Sequence, residues 1–247
     1  MNIVPSLFER FKIRSNEVNA DGKLSIPALG NFLQETAGNS ALQLGFSIEH
    51  LLKNNVTWVL SRLKMEMNEL PLWRQTIEVE TWPSGYDRMI ATRDFRVWNP
   101  KKECIGKATS IWMLIDLKTR RPVNVEPFLT NYAKEHPDRS LIIERDDKIN
   151  HLQNREQTAT FNVRYGDLDL NNHVNNVHFM EWVLESVPTQ IRNQKSLQSL
   201  DIQFRAECFY GDRIHSHCEQ AANGLIIHEL RRESDEKEVA RAQTIWQ

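Results

Sequence analysis

The chain has few cysteines, and they follow no regular pattern. Its 247 residues include only Cys104, Cys208 and Cys218, and none of these forms a Cys-x-x-Cys pair. An odd and widely spaced set argues against a disulfide scaffold and against a structural zinc site. The cysteines therefore indicate a reducing compartment.

Long hydrophobic runs are also missing. The N-terminal stretch MNIVPSLFERFKIR reaches Glu9 and Arg10 before any long apolar run. No later stretch offers the ~18 uninterrupted apolar residues that a membrane helix needs. We therefore predict neither a signal peptide nor a membrane span.

The chain has no excess of charge of one sign. The net charge is -2 and the isoelectric point is about 6.5, whereas proteins that bind nucleic acids usually carry a concentrated basic face. Nucleic acid is therefore not an expected partner. The hydrophobic content of 40% is enough for one large core or two adjoining ones.

An internal repeat is present. A shift of 150 residues aligns FKIRSNEVNADGKLSIPALGNFLQETA with FNVRYGDLDLNNHVNNVHFMEWVLESV without a gap. Two later segments match at shifts of 137 and 134 residues, SRLKMEMNELPLWRQTIEV with QSLDIQFRAECFYGDRIHS and ATSIWM with AQTIWQ. The order of the matching parts is the same, which predicts two copies of one structural plan.

Each copy predicts a short strand, a polar turn, a helix and then several strands. The first strands are expected at 11–16 and 159–165. The first helix is expected to have Ser25 as its N-cap and Pro27 in its first turn, and the second is expected from about Asn176 to Val187, where Pro188 ends it. The later strand signals show several period-two alternations and lie at 77–82, 91–98, 108–116, 199–204, 225–230 and 242–247.

These patterns predict an α+β fold in which each helix is held inside a curled antiparallel sheet. The first domain is expected at 1–128 and the second at 157–247. The polar, charge-dense stretch at 129–156 is expected to be a linker that runs over the surface.

Several segments together resemble the acyl-carrier-protein (ACP) thioesterases of bacteria and plant plastids. These segments are DLDLNNHVNNVHFMEWVLESVP and FRAEC in the second copy, and WVLSRLKMEM, ATSIWMLID and KTRRP in the first. The resemblance implies two tandem hotdog domains that hydrolyse fatty acyl-ACP to free fatty acid and ACP without a metal or an organic cofactor. It maps the functional residues onto Asp169, Asn171, His173 and Glu207. The absence of a transit segment before Phe8 favours a cytoplasmic enzyme of the bacterial type.

The residues support this chemistry on their own terms. Asp169, Asn171 and His173 alternate, so in an extended segment all three would line one wall. The start of the following helix offers free N–H groups and a positive dipole end to a developing oxyanion. We hypothesise that Glu207 or His173 activates water, that Asn171 holds the carbonyl or the water, and that Asp169 orients His173 or Asn171.

The same residues also fit a purely structural interpretation. Asn and Asp clusters before a helix are commonly turn formers and caps. The first copy has Asn19, Asp21 and Lys23 at the equivalent positions, so it builds a similar turn without the Asp-x-Asn-x-His set. The second copy is therefore expected to carry the chemistry. The first is then expected to supply the acyl-chain pocket, for which Trp58, Met65, Met67 and Trp112 are candidate lining residues.

Cys208, beside Glu207, raises a rival mechanism in which a thiolate and His173 form a nucleophilic pair. In a regular strand, Glu207 and Cys208 point to opposite faces, so only one of them can reach His173. The parity of SLDIQFRAEC groups Cys208 with the apolar residues. We therefore favour Glu207 and interpret Cys208 as a packing residue.

Several alternatives stay open. His215 and His217 have metal-like spacing but no nearby third ligand, so no metal site is expected. Candidates for docking the acidic carrier protein are the basic residues Lys101, Lys102, Lys118, Arg120, Arg121, Arg231 and Arg232. An acyl-CoA thioesterase and a non-catalytic acyl-binding protein are the competing functions. The oligomeric state is open, with a homodimer among the alternatives.

Overall fold

The structure is a computed structural model that describes residues 4–132, 134–144, 147–154 and 157–247, without the side chains of residues 157 and 158. The chain divides into two compact units, Met1–Ile143 (unit 1) and Glu144–Gln247 (unit 2). The division falls inside the stretch expected to be a linker. Residues 133, 145, 146, 155 and 156 of that stretch lie outside the described residues.

Unit 1 is an antiparallel sheet with one long helix packed against it. The strands are β1 (Leu7–Lys12), β2 (Val56–Met67), β3 (Thr76–Asp87), β4 (Ile90–Trp98), β5 (Cys104–Asp116) and β6 (Pro122–Val123). They are hydrogen-bonded in the order β1-β3-β4-β5-β2, and β6 pairs with β5. Alternate residues of the strands turn towards the core, where Ile77, Val79 and Phe95 are buried.

The long helix of unit 1 begins where the sequence predicts. Helix α1 (Ile26–Gln43) has Ser25 as its N-cap, and the Ser25 hydroxyl accepts a hydrogen bond from the backbone N–H of Ala28 at 3.3 Å. Phe32 of this helix stacks on Phe11 of β1, which fixes the helix to the edge of the sheet. The short helix α2 (Ile48–Leu52) follows before β2.

Unit 2 has the same plan. Its helices are α3 (Asn176–Glu185) and α4 (Thr189–Gln194), and its strands are β7 (Gln157–Asn162), β8 (Leu197–Phe204), β9 (Arg213–Gln220), β10 (Leu225–Arg232) and β11 (Lys237–Trp246). The strand order is β7-β9-β10-β11-β8, which is the order of unit 1 strand for strand. Trp182 of α3 stacks on Phe161 of β7, as Phe32 does on Phe11.

The first strand of each unit begins and ends earlier than predicted: β1 spans Leu7–Lys12 rather than 11–16, and β7 spans Gln157–Asn162 rather than 159–165. β1 and β7 stop at Lys12 and Asn162, and a 3-10 turn follows at Ser15–Glu17 and at Tyr165–Asp167. An arginine just before each turn closes it: the backbone N–H of Arg14 donates to Glu17 at 2.7 Å, and that of Arg164 donates to Asp167 at 2.8 Å. The buried carboxylate thus favours a turn over continued extension.

The first part of the stretch expected to be a linker hydrogen-bonds to the sheet of unit 1. The backbone N–H of Ser140 donates to the buried Asp94 carboxylate at 2.6 Å, and the Trp82 indole donates to the Asp138 carbonyl at 3.0 Å. Leu129 lies in a buried cluster with Phe46. None of the helices in the described part of the chain has the length and hydropathy needed to cross a membrane.

Candidate active site

The Asp169-to-His173 segment is a tight turn, not the extended segment that its alternating pattern predicted. The backbone N–H of Asp169 donates to the His173 carbonyl at 2.7 Å, and that of Asn172 donates to the Asp169 carbonyl at 3.1 Å. Asn172 has a φ of 59°, in the left-handed region that Asn tolerates better than most residues. The turn, rather than strand alternation, brings the three polar residues together.

The Asp169 carboxylate organises this turn from inside. Its Oδ1 accepts the backbone N–H of Asn171 at 2.7 Å and that of His173 at 3.2 Å. Its Oδ2 lies 3.4 Å from the Asn171 side-chain nitrogen. Asp169 therefore holds both Asn171 and His173 through their backbones, and Asn171 also through its amide.

Unit 1 has the same turn with other side chains. The backbone N–H of Asn19 donates to the Lys23 carbonyl at 2.8 Å, and Gly22, with a φ of 78°, takes the position of Asn172. The turn itself therefore needs neither His173 nor Asp169. A structural role does not explain why unit 2 has the Asp-x-Asn-x-His set and unit 1 does not.

Glu207 meets His173 across the site. Glu207 Oε1 lies 3.5 Å from His173 Nδ1, and the two side chains are partly exposed, at 38% and 23%. Glu207 lies just beyond the end of β8. The next residue, Cys208, accepts the backbone N–H of Val174 on its carbonyl at 2.9 Å. This backbone bond brings the Glu207 loop beside the His173 turn. At the shift of 137 residues, unit 1 has Leu70 in place of Glu207.

The start of α3 is less open than predicted. The side chain of Asn175, the N-cap, accepts the backbone N–H of Val177 at 3.2 Å, and the Asn175 carbonyl accepts that of His178 at 3.0 Å. The expectation of free N–H groups at this helix end is therefore wrong for these two, because the cap residue uses them itself.

Cys208 is buried inside unit 2. Its side chain is fully enclosed, and burial raises the pKa of the thiol to about 12. A thiol with that pKa stays protonated at neutral pH and is a poor nucleophile. Glu207 faces the imidazole and Cys208 faces the core, although β8 ends at Phe204 and the regular alternation does not reach them.

Two residues that sequence reasoning did not place in the site adjoin it, and one of them, Arg232, was a candidate for docking only. The ring of Phe209 meets the His173 imidazole edge to face, with centroids 5.1 Å apart. The guanidinium of Arg232 donates to the Glu207 carbonyl at 3.0 Å. Phe209 follows FRAEC directly and could have been noticed there, whereas nothing in the local sequence links Arg232 to Glu207.

The other predicted residues lie as follows. His215 is 3.1 Å from Glu233, and across the described residues no three metal-binding side chains cluster. In unit 1, Met65 and Met67 are buried. The Trp58 indole donates to the Phe46 carbonyl at 2.9 Å, and the Trp112 indole donates to the Ser110 hydroxyl at 2.7 Å.

Comparison with protein families matches both parts of the chain. Residues 6–132 match the acyl-ACP thioesterase N-terminal domain, and residues 150–247 match the acyl-ACP thioesterase C-terminal domain. The chain is 32% identical to a chloroplastic palmitoyl-acyl carrier protein thioesterase of Cuphea hookeriana over 96% of its length, and this covers 61% of that relative. The chain spans about three fifths of the length of the first curated relatives that it matches.

Solved structures of the same kind match the whole chain. A crystal structure of an acyl-ACP thioesterase from Bacteroides thetaiotaomicron has a TM-score of 0.89 and 29% identity, with 98% of each chain covered. The 12:0-ACP thioesterase from Umbellularia californica has a TM-score of 0.84 and 27% identity, with 98% of this chain and 97% of that chain covered. The fold of this chain is therefore that of two tandem hotdog domains, as predicted.

Proposed function

Because this chain belongs to the acyl-ACP thioesterase family, we propose that it hydrolyses fatty acyl-ACP thioesters to free fatty acid and holo-ACP. The partner is then an acyl carrier protein that carries its fatty acyl chain on phosphopantetheine. The observation that supports this most is the approach of Glu207 to His173 at 3.5 Å, beside the turn that Asp169 organises. Unit 1 builds that turn without these side chains.

The proposed reaction uses an activated water. The water oxygen bonds to the thioester carbonyl carbon while Glu207 or His173 takes its proton, and the negative charge develops on the carbonyl oxygen. The side-chain amide of Asn171 holds the carbonyl or the water. The C–S bond then breaks, and the departing sulfur takes the proton that the base removed from the water, which restores the base. A thiol has a pKa near ~8.5, so this leaving group needs less help than an alkoxide.

The roles of Asp169 and of unit 1 complete the proposal. Asp169 orients Asn171 and His173 through the hydrogen bonds to their backbones. Unit 1 binds the acyl chain, with Trp58, Met65, Met67 and Trp112 as candidate lining residues. The same turn in unit 1 lacks the Asp-x-Asn-x-His set, which leaves that unit available for a binding role.

We also propose that the enzyme works in a reducing compartment such as the cytoplasm. The three cysteines are an odd and widely spaced set without a Cys-x-x-Cys pair, as is common in proteins of compartments where disulfides do not form. Fractionation of the producing cells tests the location. Whether the enzyme forms a homodimer is tested by light scattering of the purified chain.

The deciding experiment measures free fatty acid released from a panel of acyl-ACPs, with matched acyl-CoAs beside them. We expect turnover of acyl-ACP to exceed that of the matched acyl-CoA. We expect His173→Ala to abolish hydrolysis while the circular dichroism spectrum stays that of the wild type. A folded His173→Ala variant with full activity would remove the catalytic proposal. Faster turnover of acyl-CoA would instead assign the scaffold to the acyl-CoA thioesterases.

A further inference from the structure

We propose that Arg232 is a positioning residue that fixes Glu207 against His173. This inference rests on the function proposed for Glu207. Arg232 is the last residue of β10, and its Nη1 donates to the Glu207 carbonyl oxygen at 3.0 Å. The contact joins residues that are 25 positions apart, so the guanidinium anchors the backbone from which the Glu207 carboxylate projects.

The guanidinium is itself held rigidly. Its Nη2 and Nε donate to the Asp235 carboxylate at 2.7 and 3.0 Å, and its side chain is only 14% exposed. The hydrogen bonds to Asp235 raise the pKa of Arg232 and lower the pKa of Asp235 to about 2. Both charges therefore persist over the working pH range. The planar fork can bind Asp235 with one edge while Nη1 points at Glu207.

A second link connects the same guanidinium to the imidazole. Arg232 Nη1 lies 3.6 Å from the Asp212 carboxylate, and Asp212 accepts the backbone N–H of Phe209 at 2.9 Å. The Phe209 ring packs edge to face on His173. Arg232 thus contacts both ends of the loop from Glu207 to Asp212, and this loop supplies both the carboxylate and the aromatic ring that meet His173.

Comparison with unit 1 separates this role from simple loop building. The Leu72 N–H donates to the Gln75 side chain at 2.8 Å, just as the Phe209 N–H donates to Asp212. The Ile13 N–H donates to the Gln75 carbonyl at 2.9 Å, and the Val163 N–H donates to that of Asp212 at 2.8 Å. The same backbone is therefore built with a neutral Gln75 in place of Asp212. Unit 2 therefore has both Glu207 and the charged Asp212 beside Arg232, whereas unit 1 has the uncharged Leu70 and Gln75 at these positions.

The first test reads the position of Glu207 without using activity. In the full chain with 15N-labelled histidine, the imidazole signals of His173 are recorded by NMR in the wild type, Glu207→Gln, Arg232→Gln and Arg192→Gln. We expect Arg232→Gln to move these signals in the direction of Glu207→Gln. We expect Arg192→Gln, which removes an ion pair with Glu185 elsewhere in unit 2, to leave them in place. Wild-type signals in Arg232→Gln would overturn the inference.

The second test uses hydrolysis of a fixed acyl-ACP. Arg232→Gln should lower kcat by about tenfold to hundredfold, because a displacement of ~1 Å in a site can cost that much, with KM changed less than twofold. Arg232→Lys keeps the charge but not the fork, so we expect it to recover part of kcat. A higher KM with unchanged kcat in Arg232→Gln would overturn the inference. An equal loss of kcat in Arg232→Gln and Arg192→Gln would also overturn it.

Two further results keep the test decisive. If Arg232→Gln does not fold, Asp235→Asn takes its place. It removes the exposed partner of the guanidinium without touching Glu207, and we expect a smaller loss of kcat and a smaller NMR shift in the same direction. Unchanged kcat and NMR signals in Asp235→Asn and Arg232→Lys would overturn the inference. If Glu207→Gln retains full activity, the function proposed for Glu207 is wrong. That result differs from failure of the positioning role alone, in which Glu207→Gln is inactive and the Arg232 variants are fully active.

Discussion

Glu207 and Cys208 are neighbours in the chain, but the surroundings of their side chains differ. The carboxylate of Glu207 is partly exposed and faces an imidazole, whereas the thiol of Cys208 is enclosed. A charged group needs water or a partner, while a buried cysteine behaves as a small hydrophobe. The environment therefore assigns chemistry to the first residue and packing to the second.

This difference gives a direct prediction. Cys208→Ala should keep most of the hydrolytic activity, because it removes a protonated thiol from the core. Glu207→Ala should lower kcat by about 100-fold or more, the usual contribution of a general base or its partner. Free fatty acid release measures both, and mass spectrometry of quenched enzyme checks for an acyl group on Cys208. A trapped acyl-cysteine, or an inactive Cys208→Ala, would replace the direct-water mechanism with a thiol one.

We expect a second buried group, His228, to make the stability of unit 2 depend on pH. His228 lies between the hydroxyls of Ser186 and Thr244, at 3.1 and 2.9 Å. Burial lowers its pKa from 6.5 to about 3. Below pH 6.5 His228 therefore binds a proton in the unfolded chain, whereas in the folded chain it stays neutral down to about pH 3. The stability contributed by neutral His228 is lost as the pH falls.

We therefore expect this one group to remove about 1.5 kcal/mol from the free energy of unfolding between pH 6.5 and pH 5. Urea unfolding at both values measures the loss in the wild type and in His228→Gln. The variant is less stable at pH 6.5, because it cannot reproduce both hydrogen bonds, but its stability should fall less on acidification. Equal losses in the two proteins would show that other groups cause the acid sensitivity.

The turn from Asp169 to His173 depends on one backbone conformation. Asn172 has a positive φ, as Gly22 does in the matching turn of unit 1. Asn172→Gly should therefore keep the turn and most of the activity. Asn172→Val should destabilise it by about 1 to 2 kcal/mol and lower kcat, because the Asp169 contact to His173 is lost. Thermal unfolding and fatty acid release measure the two effects.

Unit 1 offers a matched control for this turn. At Gly22 a new side chain meets open space, so Gly22→Val adds backbone strain alone. We expect a comparable loss of stability without a comparable loss of kcat, because the unit 1 turn carries no Asp-x-Asn-x-His set. Equal losses of kcat in Gly22→Val and Asn172→Val would mean that the turn of unit 2 has no special part in the chemistry.

Local signals predicted most of the elements correctly. Ser25 and Pro27 mark the start of α1, and Pro188 follows the end of α3, because caps and prolines act within one turn of a helix. The strand predicted at 77–82 continues through Pro83 to Asp87. A register shift between Pro83 and Gly85 accommodates the missing N–H, and the sequence pattern does not announce such a bulge.

The site was predictable only in part. The resemblance predicts Glu207, and the repeat predicts that both copies have a turn here. The alternation at 169–173 predicts an extended segment, because a period-two pattern takes no account of the positive φ of Asn172. Gly22, at the matching position of the first copy, was the available signal. The contact between Arg232 and Glu207 could not be predicted from the sequence, because it depends on where β10 ends beside the loop that follows β8.

The two units share one scaffold but differ in what it carries. Their sheets have the same strand order, and their helices begin after the same kind of turn. The proposed catalytic set of Asp169, His173 and Glu207 lies in the second, and the first has Asn19, Lys23 and Leu70 at the matching positions. A duplicated scaffold lets one copy lose or gain chemistry while the other keeps the shared core.

The proposed recognition of a carrier protein concerns the molecule as a whole. The chain is nearly neutral, with a net charge of -2, so attraction of an acidic partner needs a local basic group. Lys118, Arg120 and Arg121 are exposed on the hairpin that joins β5 and β6. Charged rim residues act mainly on association and its salt dependence.

Replacing all three of these residues by Gln should raise KM for acyl-ACP several-fold and leave KM for a short acyl thioester almost unchanged, because the short substrate lacks the acidic carrier protein that these cations would attract. The effect should shrink as salt is added, since screening weakens contacts between exposed charges.

A control with the same change of net charge replaces three exposed lysines outside this hairpin, Lys12, Lys53 and Lys195, by Gln. Steady-state kinetics on both substrates at low and high salt measure the result. If both triple variants raise KM for acyl-ACP equally, total charge rather than this hairpin governs docking. If the hairpin variant raises KM equally for both substrates, the hairpin acts on the site and not on the carrier protein.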